Sequence, residues 1–596
     1  MKSGTNALSP GDICYFKRGD KWVGTNAEIV VNSNGTPLSY ITLDAYGTGD
    51  DPLFTGAAPT TSGWVYTGAN SIYTLGGQSQ THLKVVTQGE ALALGRWQGT
   101  VTTLPEGTFR RSGTTLYVRL WGNVNPATAD VRVASYAHSS SADGARGLIG
   151  TSRTSTLGDY ISFKNLKVLC ANGVGMSSSG KDVRFYDCRV CGSGNDGVIF
   201  YSELTGSGED ADGTRWYYGE ISYCAASGTG YGQGFTGYAI RGAVVDCNVE
   251  NGGGIHDNFM AGVDYLFAHN NHNPNYCVIL RCDIFNNGRW QDSISYDPQA
   301  YISDGAHDIF MSGCRVWGWG VQSGATNSKV GIQFGSERPT TRPCYNIWVI
   351  GCLAFGGHGP AIKSNQVCYG STTECPPSGT TAPNNMLNVN VVNNTFAGID
   401  AVTSVPSEDR VISVSFAERT EANNWNWKNN IFICDATSVN DFMLTGTWLD
   451  LDYNLYYRRG QSSSATIFKV SGTSYTMATW KSFSGKDANS AYGNPLVTLD
   501  SDTLFDAHLS PLSPAINAGL ADAFTPPDWL PEDLFPYGGV VRGTTQVDGT
   551  IDEIASHIDL GYHYNSDYVE DGGGGPVLPT PILLISGLGV SGVTIG

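Results

Sequence analysis

Tyr186-Asp187-Cys188-Arg189-Val190 recurs in altered form along the chain, and the recurrence decides the fold. Cys224, Cys247, Cys282, Cys314 and Cys352 stand in the same local frame. Asparagine then takes the slot in Val392-Asn393-Asn394-Thr395-Phe396, Lys428-Asn429-Asn430-Ile431-Phe432 and Asp452-Tyr453-Asn454-Leu455-Tyr456. The spacing is uneven, from 23 residues (Cys224 to Cys247) to 42 (Cys352 to Asn394). Alternating apolar positions precede most members, as in Val183 and Phe185 or Ile347 and Val349. Period-two alternation marks strands, and one such unit cannot bury its apolar face alone, so the units must stack.

Helical repeats and propeller blades hold their period tightly, whereas this chain combines short strands, Gly-rich corners and connections of variable length. A parallel β-helix tolerates that pattern, because a corner can bulge outward without disturbing the stacked strands. The sequence therefore predicts an all-β fold, a right-handed parallel β-helix of about nine coils, with handedness following from the crossover rule. The repeated slot becomes a cysteine ladder continued by an asparagine ladder.

With 596 residues, 76 of them Gly, and only 15% charged, the composition fits a β-rich solenoid with many tight corners. The formal net charge of −19 argues against nucleic acid as a partner, since phosphate binding wants a basic field. It also opposes a strongly anionic polymer unless a local basic patch or a divalent cation offsets the field. Most of the 14 cysteines fall at the repeated slot, where a small buried thiol suits inward stacking; Cys368 and Cys375 are the one bridgeable pair. No paired CxxC suggests zinc, so no metal site is expected. No apolar run reaches membrane-spanning length, and the N-terminus has no apolar leader core.

The chain divides into opening strands (1–62), an inserted antiparallel β subdomain (63–137), the β-helix (138–460), a closing region (461–567), and a Gly-rich linker with an apolar tail (568–596). The insertion shows in the alternation of Thr108-Phe109-Arg110-Arg111 and Thr115-Leu116-Tyr117-Val118. A short helix is expected over Tyr475–Lys481. The tail, Pro581-Ile-Leu-Leu-Ile-Ser-Gly-Leu-Gly-Val, carries no charge and suits docking on another chain or a disordered end.

Two phrases carry a resemblance. Gly11 to Trp22 with Tyr40 to Pro52 resembles the opening of many proteins of the pectate-lyase-like right-handed β-helix superfamily. Asn454-Leu-Tyr-Tyr457, Leu509-Ser-Pro511-Leu-Ser-Pro514-Ala-Ile-Asn-Ala-Gly519 and Asp559-Leu-Gly561-Tyr-His-Tyr564 resemble the C-terminal end of bacterial and phage members. The resemblance implies a carbohydrate-active protein, with a phage tail spike or fibre, usually a homotrimer in the virion, as the leading expectation. The spike would depolymerise a bacterial surface polysaccharide, and the tail would attach it to other virion proteins. A secreted bacterial lyase or hydrolase and a non-enzymatic adhesin are the alternatives.

Alternation in the strand after each ladder member predicts an outward ridge of Tyr201, Arg241, His256, Asp297, Gln333 and Lys363, spanning about 24 Å at ~4.8 Å per coil. Near it stand Asp257, Asp264 and Glu337. Glycoside hydrolysis needs two carboxyls a few ångströms apart, and Asp297 with Glu337 or Asp257 with Asp297 meets that on adjacent coils. β-Elimination needs a base and a cation, for which His256, Arg241 and Lys363 qualify, with a Ca²⁺ expected only for that reaction. Gly254-Ile-His256-Asp257-Asn258 is the densest stretch of chemistry. Tyr201, Gln333, Asp264 and the corner ring Trp290 are the expected substrate-binding residues.

Overall fold

The computed structural model describes residues 8–565, apart from 79–85, 91, 135–146, 152–157, 202–210, 225–232, 266–273, 289–297, 304, 319–329, 337–343, 358–359, 367–386, 399–411, 416–423, 435–441, 445–448, 471, 501–504, 524, 535–542 and 545–556.

Each coil contributes one strand to each of three long parallel sheets. One coil runs Arg184–Tyr186 in sheet I, Arg189–Ser193 in sheet II and Val198–Phe200 in sheet III, before Arg215–Tyr217 returns to sheet I. Sheet I is a 12-stranded stack; sheets II and III hold 13 strands, the last of sheet III being antiparallel. Twelve coils are thus complete, against the nine expected. The extra coils carry other residues at the slot, such as Leu166 and Gly219, or precede it altogether: Ile13–Lys17, Lys21–Val23 and Ile29–Val31 already form the first coil. The result is a right-handed parallel β-helix.

The ladder residues occupy the corner from sheet I to sheet II and not a strand. The residue before each adopts a left-handed conformation, with φ of 51° at Asp187, 54° at Asp246, 57° at Asn393 and 59° at Asn429. Asp and Asn tolerate that region because their short polar side chains bond locally. Cys188, Cys247, Cys282, Cys314 and Cys352 are buried free thiols, and burial pushes the Cys188 thiol up to about 12. Cys224 does not belong to this ladder. It follows Glu220–Ser222 in sheet II, and its N–H donates to Asn258 Oδ1 at 3.0 Å, starting a second ladder at the corner from sheet II to sheet III.

Asparagine replaces cysteine where the slot can bond along the axis. Asn430 Oδ1 accepts from Asn394 N and Nδ2, both at 3.0 Å, while Asn430 Nδ2 donates to Val391 O (2.8 Å) and Asn454 Oδ1 (3.1 Å). Between the ladders, like residues stack along the axis, as Phe163 on Phe185 (5.0 Å) and Phe396 on Phe432 (5.6 Å). Trp425 and Trp427 both point into this core, as their shared parity predicts.

Two covers lie on the outside. The insertion forms sheets of four and five strands between Ala57–Pro59 and Val131–Ala134, antiparallel but for the edge strand Gly95–Arg96, and buries Phe109, Val118 and Val133 with Leu169, Cys170 and Cys191 of sheet II. At the other end, helix Met477–Ser484, capped by Thr476, closes the stack by laying Trp480 on Phe468 (4.7 Å). The chain then turns back. Its hairpin Val497–Asp500/Phe505–Leu509 and residues Leu560 and Tyr562 cover Trp317, Phe355 and Ile433 of sheet II. Residues 520–523 and 525–534 cross the outer face of sheet I.

Candidate functional site

On sheet II the sixth coil lies between the apolar packing of the two covers, with Arg96 of the insertion reaching over Phe259 just beyond its strand. The insertion packs on this sheet as far as Tyr223, and the C-terminal cover begins at Phe285. In that gap Glu220–Ser222 pairs with Gly254–His256, placing Ser222 opposite His256. With ~4.8 Å between rungs, Tyr223 and Phe285 stand on rungs roughly 10 Å apart, with His256 between them.

His256 sits between two carboxylates. Its Nδ1 lies 2.9 Å from Asp257 Oδ2 and its Nε2 3.6 Å from Glu220 Oε1. Asp257 reaches back to the ring because it turns the corner in the left-handed region, with φ 54°. Phe285 on the next rung stacks flat on the imidazole at 4.6 Å, and the Tyr223 ring meets it edge-on at 6.1 Å. Burial alone would lower the pKa of His256, but the hydrogen bond to Asp257 and the contact with Glu220 outweigh it and push it up to about 9. Burial likewise opposes ionisation of Glu220; the imidazolium and the Ser222 hydroxyl, which donates at 2.8 Å, hold its carboxyl below the usual value. Both side chains still reach solvent, at 18% for His256 and 24% for Glu220. The gap therefore presents a charged acid beside an ionised base.

The other expected residues fall on different faces, so the single ridge is corrected. Arg241 lies on the turn entering sheet I, 62% exposed and paired with Asp212. It follows the sheet III strand at a corner with φ 51°, which strand alternation does not register. Asp264, Gln333 and Lys363 do share one row, on sheet III: Asp264 pairs with Tyr301, Tyr301 with Gln333 and Gln333 with Lys363. Asp264 and Gln333 are each 2% exposed, and Gln233 Nε2 donates to Asp264. Tyr201, just beyond its sheet III strand, stacks on Tyr238 at 6.2 Å. Trp290, Asp297 and Glu337 lie outside the described residues. Among the described residues no three His, Cys, Asp or Glu side chains group to hold a metal ion.

Glu220 is the residue that strand alternation missed. Reading Cys224 as a ladder member shifts the fifth coil by a whole strand and hides the rung that Glu220-Ile221-Ser222 shares with Gly254-Ile255-His256. Asp196 and Gln233, which bond Thr236 beneath sheet III's outer row, were missed for want of any repeat.

No family model matches this chain, and no curated protein matches it. Solved structures similar to it include XylC in complex with xylose (9% identity, 83% of each chain, TM-score 0.42). The Azotobacter vinelandii mannuronan C-5 epimerase AlgE4 A-module shows 11% identity over 71% of this chain and 86% of that one, TM-score 0.37. Pectate lyase Pel9A shows 14% identity over 86% and 84%, TM-score 0.33. By its three stacked parallel sheets, the chain has the architecture of a right-handed parallel β-helix.

Proposed function

We propose that this protein binds and cleaves a polysaccharide chain lying across sheet II, with His256, Glu220 and Asp257 as the reacting group. The observation that carries the reading is the solvent-reaching His256 imidazole held between Asp257 and Glu220 on the sheet II rungs between the two covers. Asp257 accepts from Nδ1–H and fixes the ring, which leaves Nε2–H aimed toward Glu220. A glycosidic oxygen entering beside Nε2 takes that proton as the bond breaks. Glu220, ionised, takes the balancing proton from water in hydrolysis or from the sugar carbon in elimination.

The setting we propose is a virion tail spike acting on a bacterial surface polysaccharide, for which buried free thiols such as Cys282 and Cys314 suit assembly in a reducing cell interior. Incubation with a panel of bacterial polysaccharides tests the function. New reducing ends are expected, with the ultraviolet absorbance of an unsaturated uronate marking elimination. Loss of one general acid costs about 10²- to 10⁴-fold, so His256→Ala is expected to abolish turnover on that scale. Full activity in His256→Ala would remove the site, and binding without new ends would leave an adhesin. The mass of the protein in solution separates a trimer from a monomer.

A further inference from the structure

We propose that the turn Asn248–Gly253 walls the His256 site on the side of sheet I, so that the protein acts from the end of a polysaccharide chain and not within it. The proposal rests on the reading of His256, Glu220 and Asp257 as the reacting group and adds the mode of action.

From the third coil to the twelfth, the corner between sheets I and II is two residues long, as in Asp187-Cys188, Arg281-Cys282 or Asn429-Asn430. The sixth coil departs from this. Its corner pair Asp246-Cys247 is followed by six further residues before the strand Gly254–His256 begins. The stack itself is undisturbed: Gly254 N donates to Gly219 O (3.2 Å) on one side, and Asp283 N donates to Cys247 O (2.9 Å) on the other. The extra residues therefore stand outside the coil, directly before the strand that carries His256.

They form a tied turn. Gly252 N donates to Val249 O and Gly253 N to Asn248 O, both at 2.9 Å, with Gly252 in the left-handed region at φ 69°. Asn248 Oδ1 accepts from Asn251 N (3.0 Å), Asn248 Nδ2 donates to Arg281 O (3.3 Å), and Val249 N donates to Asp283 Oδ2 (2.8 Å). Two arginines of sheet II mark where the turn lies. Glu250 Oε1 accepts from Arg315 Nη2 at 2.8 Å, and a Cβ on Gly252 would lie 3.6 Å from Arg189 Nη2. Arg189, Glu220, Gly254, Asp283 and Arg315 stand on successive rungs of one row. The turn thus runs along the sheet I edge of sheet II over four rung spacings, about 19 Å at ~4.8 Å each. A sugar chain lying across sheet II meets it beside Glu220 and must end there. Gly254 to His256 is about 7 Å along the strand, so the bond presented to Nε2 is one close to the chain end.

Each polysaccharide of the panel, cut by partial acid hydrolysis and size-fractionated, tests this by binding before any turnover. Chains about tenfold shorter are expected to bind about tenfold more tightly at equal mass, because the same mass then carries that many more ends. Where cleavage is followed, oligosaccharides of one short length are expected from the start, while the remaining polymer shortens slowly. Deleting residues 248–253, which restores the two-residue corner, is expected to remove the length dependence and to release fragments of all sizes. Glu250→Ala, which frees the turn from Arg315 and leaves the coil intact, is expected to move both readouts part of the way, and reads the wall even where the deletion unfolds. Binding that ignores chain length, fragments of all sizes from the wild type, or unchanged readouts in the folded variants would overturn the proposal. End-dependent binding without cleavage keeps the inference and loses the catalytic reading, and random cleavage does the reverse. A panel in which nothing is bound or cut would overturn both.

Discussion

His256 carries a pH profile in its surroundings. With its pKa raised to about 9, it is charged at neutral pH and can donate its Nε2 proton, so turnover is expected to fall as pH rises through about 9. Glu220, held below its usual 4.5, stays ionised until the solution is more acidic than that, so the acid limb lies lower still. Between these limits the rate is expected to be flat. Asp257→Asn removes the larger favourable contact of the imidazole, and the alkaline limb should then move down toward the ordinary histidine value of 6.5. A limb that stays near 9 in Asp257→Asn would assign it to another group. The same shift acts on stability. A raised pKa in the folded state contributes stability that is fully present below 6.5 and is lost as pH rises through about 9.

The asparagine ladder joins successive coils by side chains as well as backbone. Removing Asn430's amide leaves Asn394 N and Nδ2 without their axial acceptor and Val391 O without its axial donor, all in the core, while Asn454 Oδ1 keeps the Asn430 backbone N–H. Orphaned buried groups cost about 1–3 kcal/mol each, so Asn430→Ala is expected to lower the unfolding free energy by about 3 kcal/mol, read from the denaturant midpoint. A loss below 1 kcal/mol would mean that water replaces the amide. Cysteine at this slot bonds only weakly, which is why both residues fit it and why the repeat was legible in the sequence at all. What was not legible is that the slot is a corner. Asp187, Arg281 and Tyr453 all take left-handed φ there, and no common residue type announces it. The same blindness placed Arg241 on a strand and Cys224 on the wrong ladder. His256-Asp257 stood out because the two partners are adjacent in sequence. Glu220, 36 residues before His256, becomes a neighbour only once the coils are in register.

At the scale of the molecule, a solenoid transmits stability only between neighbouring coils, and opens from its ends. This one carries a strap against that. Leu520 N donates to Asn429 Oδ1 (2.9 Å) and Asn426 Nδ2 to Ala523 O (2.7 Å), both in the eleventh coil. Further along, Trp529 wedges between Tyr276 (5.4 Å) and Trp348 (6.1 Å), and Asp533 pairs with Arg215 in the fifth coil. Fourteen residues of chain thus span six rungs, about 29 Å at ~4.8 Å each, over an apolar row that includes Val245, Leu280 and Ile350. An apolar stripe of that length would otherwise face water or another chain. Coupling the fifth coil to the eleventh should make the intervening coils open together. Trp529→Ala removes the half-buried ring at the centre of the strap, and is expected to cost less than the about 3–5 kcal/mol of a fully buried aromatic. Because the strap lies outside the core, that cost is expected as local release. Hydrogen exchange of residues 520–534 and of the sheet I rungs beneath them should quicken together, and an apolar dye should bind the uncovered stripe. The melting of the coils before the fifth should hardly change. Exchange confined to residue 529 and its immediate neighbours would show that the segment adheres by independent contacts and straps nothing.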